Sequence, residues 1–262
     1  MNASLYCFSG TGNSLAVAKT IHAALSDAAL TRITSALVEQ RPKIQAEIVG
    51  IVFPVYAWGP PGIVERFLQQ AEITQPQYLF LVATHGGGPE NALAYAANLL
   101  RRKQLRVDAV FDIQMPNNYI TGSNPSSEED ARMLIQRQTS ALEAITLKIQ
   151  ERRTIPVSST PSLSGKIKSR VIHPLFTANA FRQGKKFAVS DACTHCGICA
   201  KVCPVENIRL NQQQTPEWGT RCEWCLACIN WCPARAIESG SATAGRNRYH
   251  HPDVKLHEII AN

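Results

Sequence analysis

Leu5-Tyr6-Cys7-Phe8-Ser9-Gly10-Thr11-Gly12-Asn13-Ser14-Leu15 sets the architecture of the first half of this chain. Leu5 to Phe8 is a short apolar run of strand character, and Leu15 to Leu25 has helical spacing, so Ser9 to Ser14 is the loop of a strand-loop-helix unit. Backbone N-H groups at a helix start, with the positive end of its dipole, attract an anion, and the glycines let the chain come close to it. Gly10-x-Gly12 lacks a third glycine because Leu15 stands there, and no Gly-Lys-Ser/Thr follows, so neither the dinucleotide fingerprint nor the P-loop fits. Three hydroxyls, of Ser9, Thr11 and Ser14, stand where a lysine would otherwise be. Such a loop suits a terminal monophosphate bound by hydrogen bonds, which points to FMN. Cys7, inside the strand, reads as a small buried hydrophobe.

Strand and helix signals alternate beyond this unit. Ile48 to Val55 is a nearly unbroken apolar run, as expected of a strand covered on both faces. A helix follows from Pro61 through Phe67, then a strand over Tyr78 to Ala83, a helix over Asn91 to Arg102 and a strand over Val107 to Ile113. This rhythm predicts a parallel sheet. Ser126 and Glu129 read as a capping box, after which Ala131, Leu134, Ile135, Gln138, Leu142, Ile145 and Ile149 form one stripe. Arg152 and Arg153 close that helix with the sign its C-terminus favours.

Eight of the nine cysteines lie between positions 193 and 232. They form Cys193, Cys196, Cys199, Cys203 before Pro204 and Cys222, Cys225, Cys228, Cys232 before Pro233, which is the run C-x2-C-x2-C-x3-C-P written twice. Three thiolates at this spacing wrap one cubane and the fourth reaches the partner cluster. The spacing therefore assigns one 4Fe-4S cluster to Cys193, Cys196, Cys199 and Cys232, and the other to Cys222, Cys225, Cys228 and Cys203. Paired C-x2-C spacings also suit structural zinc or a disulfide framework. Disulfides need an oxidising compartment, and no charged n-region or apolar h-region precedes Leu5, so the expectation is a cytoplasmic, thiol-preserving protein. No eighteen consecutive residues are apolar, which predicts no transmembrane segment. The repeat has a period of 29 residues, mapping Pro204 onto Pro233 and Ile208 onto Ile237. Units this short need metal to fold. Trp224 and Trp231 are placed to shield the second cluster, and Lys201, Arg221 and Arg235 to offset its charge.

Ser9 to Ser14 resembles the flavodoxin phosphate loop, and with the cysteine repeat behind it the whole chain resembles the flavodoxin-ferredoxin fusion proteins sometimes called ferrodoxins. The resemblance implies a flavodoxin-like doubly wound parallel five-stranded sheet, with FMN beyond the carboxyl ends of its strands, and a smaller α+β bacterial-ferredoxin-like domain. The implied division is 1-150 for the FMN-binding domain, 151-183 for a basic connector and 184-262 for the two-cluster domain. Pro54-Val55-Tyr56-Ala57-Trp58-Gly59 and Thr84-His85-Gly86-Gly87-Gly88 then become the isoalloxazine loops, with Tyr56 or Trp58 offering a ring face. Met115-Pro116-Asn117-Asn118-Tyr119 should surface on the same edge.

Residues 1-150 carry twelve basic and twelve acidic side chains, 191-262 carry seven of each, and 151-190 carry eight basic and one acidic, so the connector and the few residues after it hold the whole +7. Eight thiolates, two cubanes and an FMN phosphate bring the loaded chain to about +1, which gives a nucleic-acid role little support. The connector, rich in Ser and Pro up to Ser164 and then basic, reads as a solvated tie, or more sharply as a docking face for an acidic redox partner. His173, His250 and His251 read as surface residues, and His195 as a loop residue able to tune the first cluster. The leading expectation is an electron-transfer protein in which FMN and two clusters pass electrons to low-potential one-electron partners. The alternative is an FMN/iron-sulfur enzyme that reduces a nicotinamide or small molecule and uses the clusters as its wire. No Ser-His-Asp or Cys-His arrangement suggests covalent catalysis.

Overall fold

The computed structural model describes residues 2-157, 165 and 168-260. Five strands form one parallel sheet: β1 (Ala3–Cys7), β2 (Ala28–Arg32), β4 (Ile48–Pro54), β6 (Tyr78–His85) and β7 (Ala109–Gln114), in the order β2-β1-β4-β6-β7. This is the doubly wound order of flavodoxins, with the switch point between β1 and β4. The short strands β3 (Lys43–Ile44) and β5 (Glu72–Ile73) pair beside it. Helices α1 (Asn13–Ala24), α2 (Ser35–Glu39), α3 (Gly62–Gln70), α4 (Ala92–Arg101) and α5 (Glu128–Gln150) connect and cover the strands.

The burial of each strand follows its sequence. β4 and β6 lie in the middle and are buried along nearly their whole length, which is why their apolar runs are almost unbroken. β7, at one edge, alternates buried with exposed positions. β2, at the other edge, has no fully buried residue, and its sequence Ala-Ala-Leu-Thr-Arg gives no strand signal. Gly50 is required by packing, because a Cβ there would stand 2.3 Å from the Phe80 ring on the neighbouring strand. The long helix begins one residue later than its predicted cap. Ser127 accepts from the Asp130 amide at 3.1 Å, while the Ser126 hydroxyl accepts from Asn117 N-H in the preceding loop. Cys7 is buried, as its place in the strand predicts.

The cysteine segment is built from two antiparallel ribbons, Phe187–Val189 with Ile237–Ser239 and Ile208–Leu210 with Pro216–Trp218, and two one-turn helices, Ile198–Lys201 and Ala227–Asn230. The 29-residue period extends to the backbone. His195, Gly197 and Glu206 have positive φ of 55°, 70° and 48°, and their counterparts Trp224, Leu226 and Arg235 have 52°, 61° and 50°. The left-handed twists turn the chain back around each cysteine loop.

This segment is not a free globule. Phe187, Val205, Ile208, Trp224 and Ile229 share one apolar core with Phe8, Phe53, Ile63 and Phe67, and Trp231 and Ala227 share a second with Leu15, Val17 and Val52. Glu223, between two cysteines, is buried and reaches across to α3. Its carboxylate accepts from Ile63 N-H at 2.9 Å and pairs with Arg66 at 2.5 Å, supplying an N-terminal cap that Pro61 cannot provide.

Of the predicted connector, the Ser- and Pro-rich part up to Ser164 and Lys166 falls largely outside the described residues. The rest is helical from Lys168, with an α-helix over His173–Gln183. His173 corrects the surface reading. It is fully buried, with Nδ1 3.0 Å from the Tyr56 carbonyl and Nε2 2.6 Å from the Glu65 carboxylate. A Cβ on Gly59 would overlap its ring. Basic sequence around it concealed one anchoring residue.

Replacing Glu223 by Ala should lower the stability of the anaerobically prepared protein by about 2 kcal/mol, because the Ile63 amide and Arg66 lose a charged partner and Arg66 is only partly shielded from water. Comparison of thermal midpoints of wild type and variant checks it; an unchanged midpoint would show that Glu223 does not tie the halves together.

Candidate functional site

The carboxyl ends of β1, β4, β6 and β7 open on one cavity of about 640 Å³, a size common for small-molecule and cofactor sites. Its first wall is the loop after β1. Gly12 caps α1 in the left-handed conformation at φ 101°, no side chain caps the helix, and its first turn holds no acidic residue. The amides at this end of the helix are therefore left without a side-chain cap or a nearby carboxylate, the arrangement in which a helix start can receive an anion. The three hydroxyls are used differently from expectation. Ser9 Oγ accepts from Gly12 N-H at 3.1 Å, Ser14 Oγ and Thr84 Oγ1 share a hydrogen bond of 2.7 Å, and Thr11 Oγ1 accepts from Asn118 Nδ2 at 2.5 Å. They brace the loop as well as line it.

The predicted loops converge here. Ser9, Gly10, Thr11, Asn13, Ser14, Pro54, Val55, Tyr56, Ala57, Trp58, Thr84, His85, Gly86 and Gly87 all line the cavity, whereas Gly12, Gly59 and Gly88 are not among its walls. Ala57 and Trp58 have φ of 45° and 65°, and the loop is closed by paired backbone bonds between Tyr56 and Gly59. Lys168 stands over the Trp58 ring at 5.1 Å. His85 bonds through Nε2 to Asp112 at 3.0 Å. Burial, and after it Cys225, Glu223 and Cys222, push the Tyr56 phenol well above its ordinary value, so it stays neutral.

Sequence reasoning found one of the remaining walls and missed two. Pro116, Asn117, Asn118 and Tyr119 belong to the flagged loop after β7, but Ile172 and Phe176 come from the connector, and Trp224, Cys225 and Leu226 from the second cysteine motif. Only the four-residue spacing of Ile172 and Phe176 hinted at a helix face.

Contact between the cysteine segment and the loop after β1 is direct. A Cβ on Gly10 would lie 2.4 Å from the Cys225 carbonyl oxygen, and Trp231 Nε1 donates to the Gly10 carbonyl at 3.0 Å. The tail closes the same loop: His251 N-H donates to the Thr11 carbonyl at 2.8 Å, and Tyr249 O-H bonds Asn13 Oδ1 at 2.6 Å. His251 is thus buried, a second correction to the surface reading, and burial holds its imidazole down at about 4. Its Nδ1 accepts from Asp253 N-H at 3.2 Å, which needs the neutral ring. His250 is exposed and stacks on Trp231 with ring centres 4.1 Å apart.

The eight cysteines separate into two groups. Cys193, Cys196, Cys199 and Cys232 line one small cavity. Cys203, Cys222, Cys225 and Cys228 act on one another electrostatically. Burial pushes the Cys199 thiol up to about 11 and Cys222 up to about 12, values at which only a bound cation makes thiolates stable at neutral pH. Sulfur acceptors are also served alike: Asn207 N-H donates to Cys203 Sγ and, 29 residues on, Ala236 N-H to Cys232 Sγ, both at 3.3 Å. Trp218 Nε1 is directed at the Cys228 sulfur, and Asn207 Nδ2 is a buried donor without a partner among the described residues, as expected where further sulfur acceptors belong. Among the described residues no three His, Cys, Asp or Glu side chains converge closely enough to hold a single ion. The donor set fits iron-sulfur clusters.

Residues 189–209 match the family model of the 4Fe-4S binding domain. No curated protein sequence matches the chain. Among solved structures, the flavodoxin of Streptococcus pneumoniae TIGR4 is similar at 14% identity over 55% of this chain and 99% of its own, with a TM-score of 0.37. A flavoprotein in complex with FMN from Lactobacillus acidophilus is 14% identical over 42% of this chain and 92% of its own, with a TM-score of 0.32. The strand order and the matched motif together define the class, a flavodoxin-type α/β fold joined to a 4Fe-4S binding segment. Among the described residues no helix is long and apolar enough to cross a membrane.

Two outcomes follow from this geometry. Gly10→Ala should impair retention of the cavity's ligand and the integrity of the second cysteine group together, since the added methyl meets backbone and not a side chain that can move; flavin and iron counts on the purified variant test the coupling. The folded-state value of His251 lies below the unfolded one, so its contribution is complete above pH 6.5 and is lost, by up to about 3 kcal/mol, as pH falls toward 4. The thermal-midpoint gap between wild type and His251→Asn should narrow from pH 7 to pH 4.5, and a gap independent of pH would contradict it.

Proposed function

We propose that the chain is an electron-transfer flavoprotein holding FMN in the cavity at the sheet edge and two 4Fe-4S clusters in the cysteine segment. The observation that carries this is Cys225, which belongs to one cysteine group and also lines the cavity wall. FMN is supported by the uncapped α1 terminus for its phosphate and by the Tyr56, Trp58 and Gly86 loops around a space suited to a planar ring. When bound it supplies chemistry in one- or two-electron steps, while a cluster carries one electron at a time. The second cluster is supported by the shared left-handed positions and matching N-H to sulfur bonds of the two repeats. Crossed ligation is supported by Cys232 standing with Cys193, Cys196 and Cys199.

In this reading the protein excludes water from the ring site through Ile172, Phe176, Trp224 and Leu226, and Trp231 fixes the phosphate loop against the second cysteine motif. The division is a sheet domain over 1-150, a connector over 151-183 that supplies one cavity wall, and a cluster domain over 184-262. Electrons leave to a redox protein partner.

Anaerobic purification with iron, sulfide and flavin counts tests the assignment, and eight irons with one FMN per chain is the expected result. Cys203→Ala should damage the cluster of the second motif and Cys232→Ala that of the first, as resolved by electron paramagnetic resonance; the opposite pattern would remove the crossed ligands. Thr11→Ala and Ser14→Ala should each weaken FMN binding by about 1 to 3 kcal/mol, through the lost donor and the loosened loop. Unchanged affinity in both would move the phosphate elsewhere.

A further inference from the structure

The two cysteine groups share one local backbone but sit in opposite surroundings. Cys203, Cys222 and Cys228 are buried, Cys225 faces the cavity, and Glu223 fastens the intervening loop to α3. Their motif is enclosed between the halves of the molecule. In the first motif Thr194, His195 and Cys196 are exposed and Cys193 and Cys232 are partly exposed, on the side of the cysteine segment that carries no cavity wall. The small cavity among them is lined by Cys193, Cys196, Cys199 and Cys232 themselves, so it is the seat of the cluster and lies one exposed loop from solvent. A partner that brings its own redox centre to this loop reaches the cluster without crossing the rest of the fold.

We infer that the cluster of the second motif is the proximal one, reached from the flavin through Cys225, and that the first motif is the outlet, where a one-electron carrier protein docks on the Thr194-Cys196 loop. The inference rests on the reading above and adds to it a direction in space: a pocket for small two-electron donors or acceptors at one end and a protein port at the other. Each docked partner gains or loses one electron. Two partner molecules are turned over for every pair exchanged at the flavin, no bond forms or breaks in the chain, and protons taken up or released at the flavin exchange with solvent. The docking surface is nearly uncharged at its centre, with Gln214 and Pro233 beside His195, and Asp191 and Arg235 at its margin. It is separate from the basic connector that the sequence offered as a docking face.

The test uses the anaerobic holoprotein with its cofactors counted, and an acidic 2Fe-2S ferredoxin as the probe. Thr194→Glu should slow, and Thr194→Lys should quicken, the second-order electron exchange with that ferredoxin, each on the order of tenfold, with flavin and iron content unchanged. Leu175→Glu and Leu175→Lys, on the exposed side of the connector helix next to Phe176, should leave the rate within about twofold. A second readout does not depend on turnover: a dissolved gadolinium chelate should quicken the spin relaxation of one cluster only, the same one whose midpoint potential moves in the Thr194 variants. Opposite charge effects at Leu175 with none at Thr194, or equal relaxation of both clusters, would overturn the port. A preparation lacking flavin or one cluster would instead overturn the functional reading beneath it.

Discussion

At Gly10 the main chain carries no side chain, and the Cys225 carbonyl occupies the space that one would need. The rest of the molecule is arranged around this approach of two backbones. It requires glycine in the loop after β1, a cysteine loop turned by left-handed residues at Trp224 and Leu226, and a donor from Trp231 to satisfy the Gly10 carbonyl that the approach buries. Flavodoxin-type folds place their ligand beyond the carboxyl ends of the strands, where loops are free to vary. Here one further wall of that site is a segment from far along the chain.

Glu223 shows how the approach is held. A buried carboxylate between two cysteines is costly unless its charge is answered, and it is answered by the Ile63 amide and Arg66. The same helix supplies Glu65 to His173, whose other nitrogen faces the Tyr56 carbonyl. A single short helix therefore fixes the cysteine loop on one side of the cavity and the aromatic loop on the other. Displacement of α3 would alter both walls at once, which links the stability of the fold to the geometry of the site.

Repeat and environment act at different levels. The two motifs share spacing, dihedral angles and N-H to sulfur bonds, so local chemistry makes them equivalent. What separates them is the neighbour: a sheet edge for one and solvent for the other. Burial and nearby charge, which set the potential and accessibility of a cluster, differ between the copies even though their cysteine spacing does not.

The sequence by itself determined the parallel sheet, through the apolar runs of β4 and β6, the loop after β1 with its helix start, and the eight cysteines in two spaced sets. Those features are local: each depends on residues within one turn or one strand. It did not show β2, whose edge position demands little apolar surface, and it misread His173 and His251, because a histidine's burial depends on partners that are distant in the chain. Only the tertiary structure decided that Ile172, Phe176, Trp224, Cys225 and Leu226 wall the cavity, that Glu223 caps α3, and that one cysteine group is enclosed while the other meets solvent. Those contacts join residues more than a hundred positions apart, and no spacing rule reaches that far.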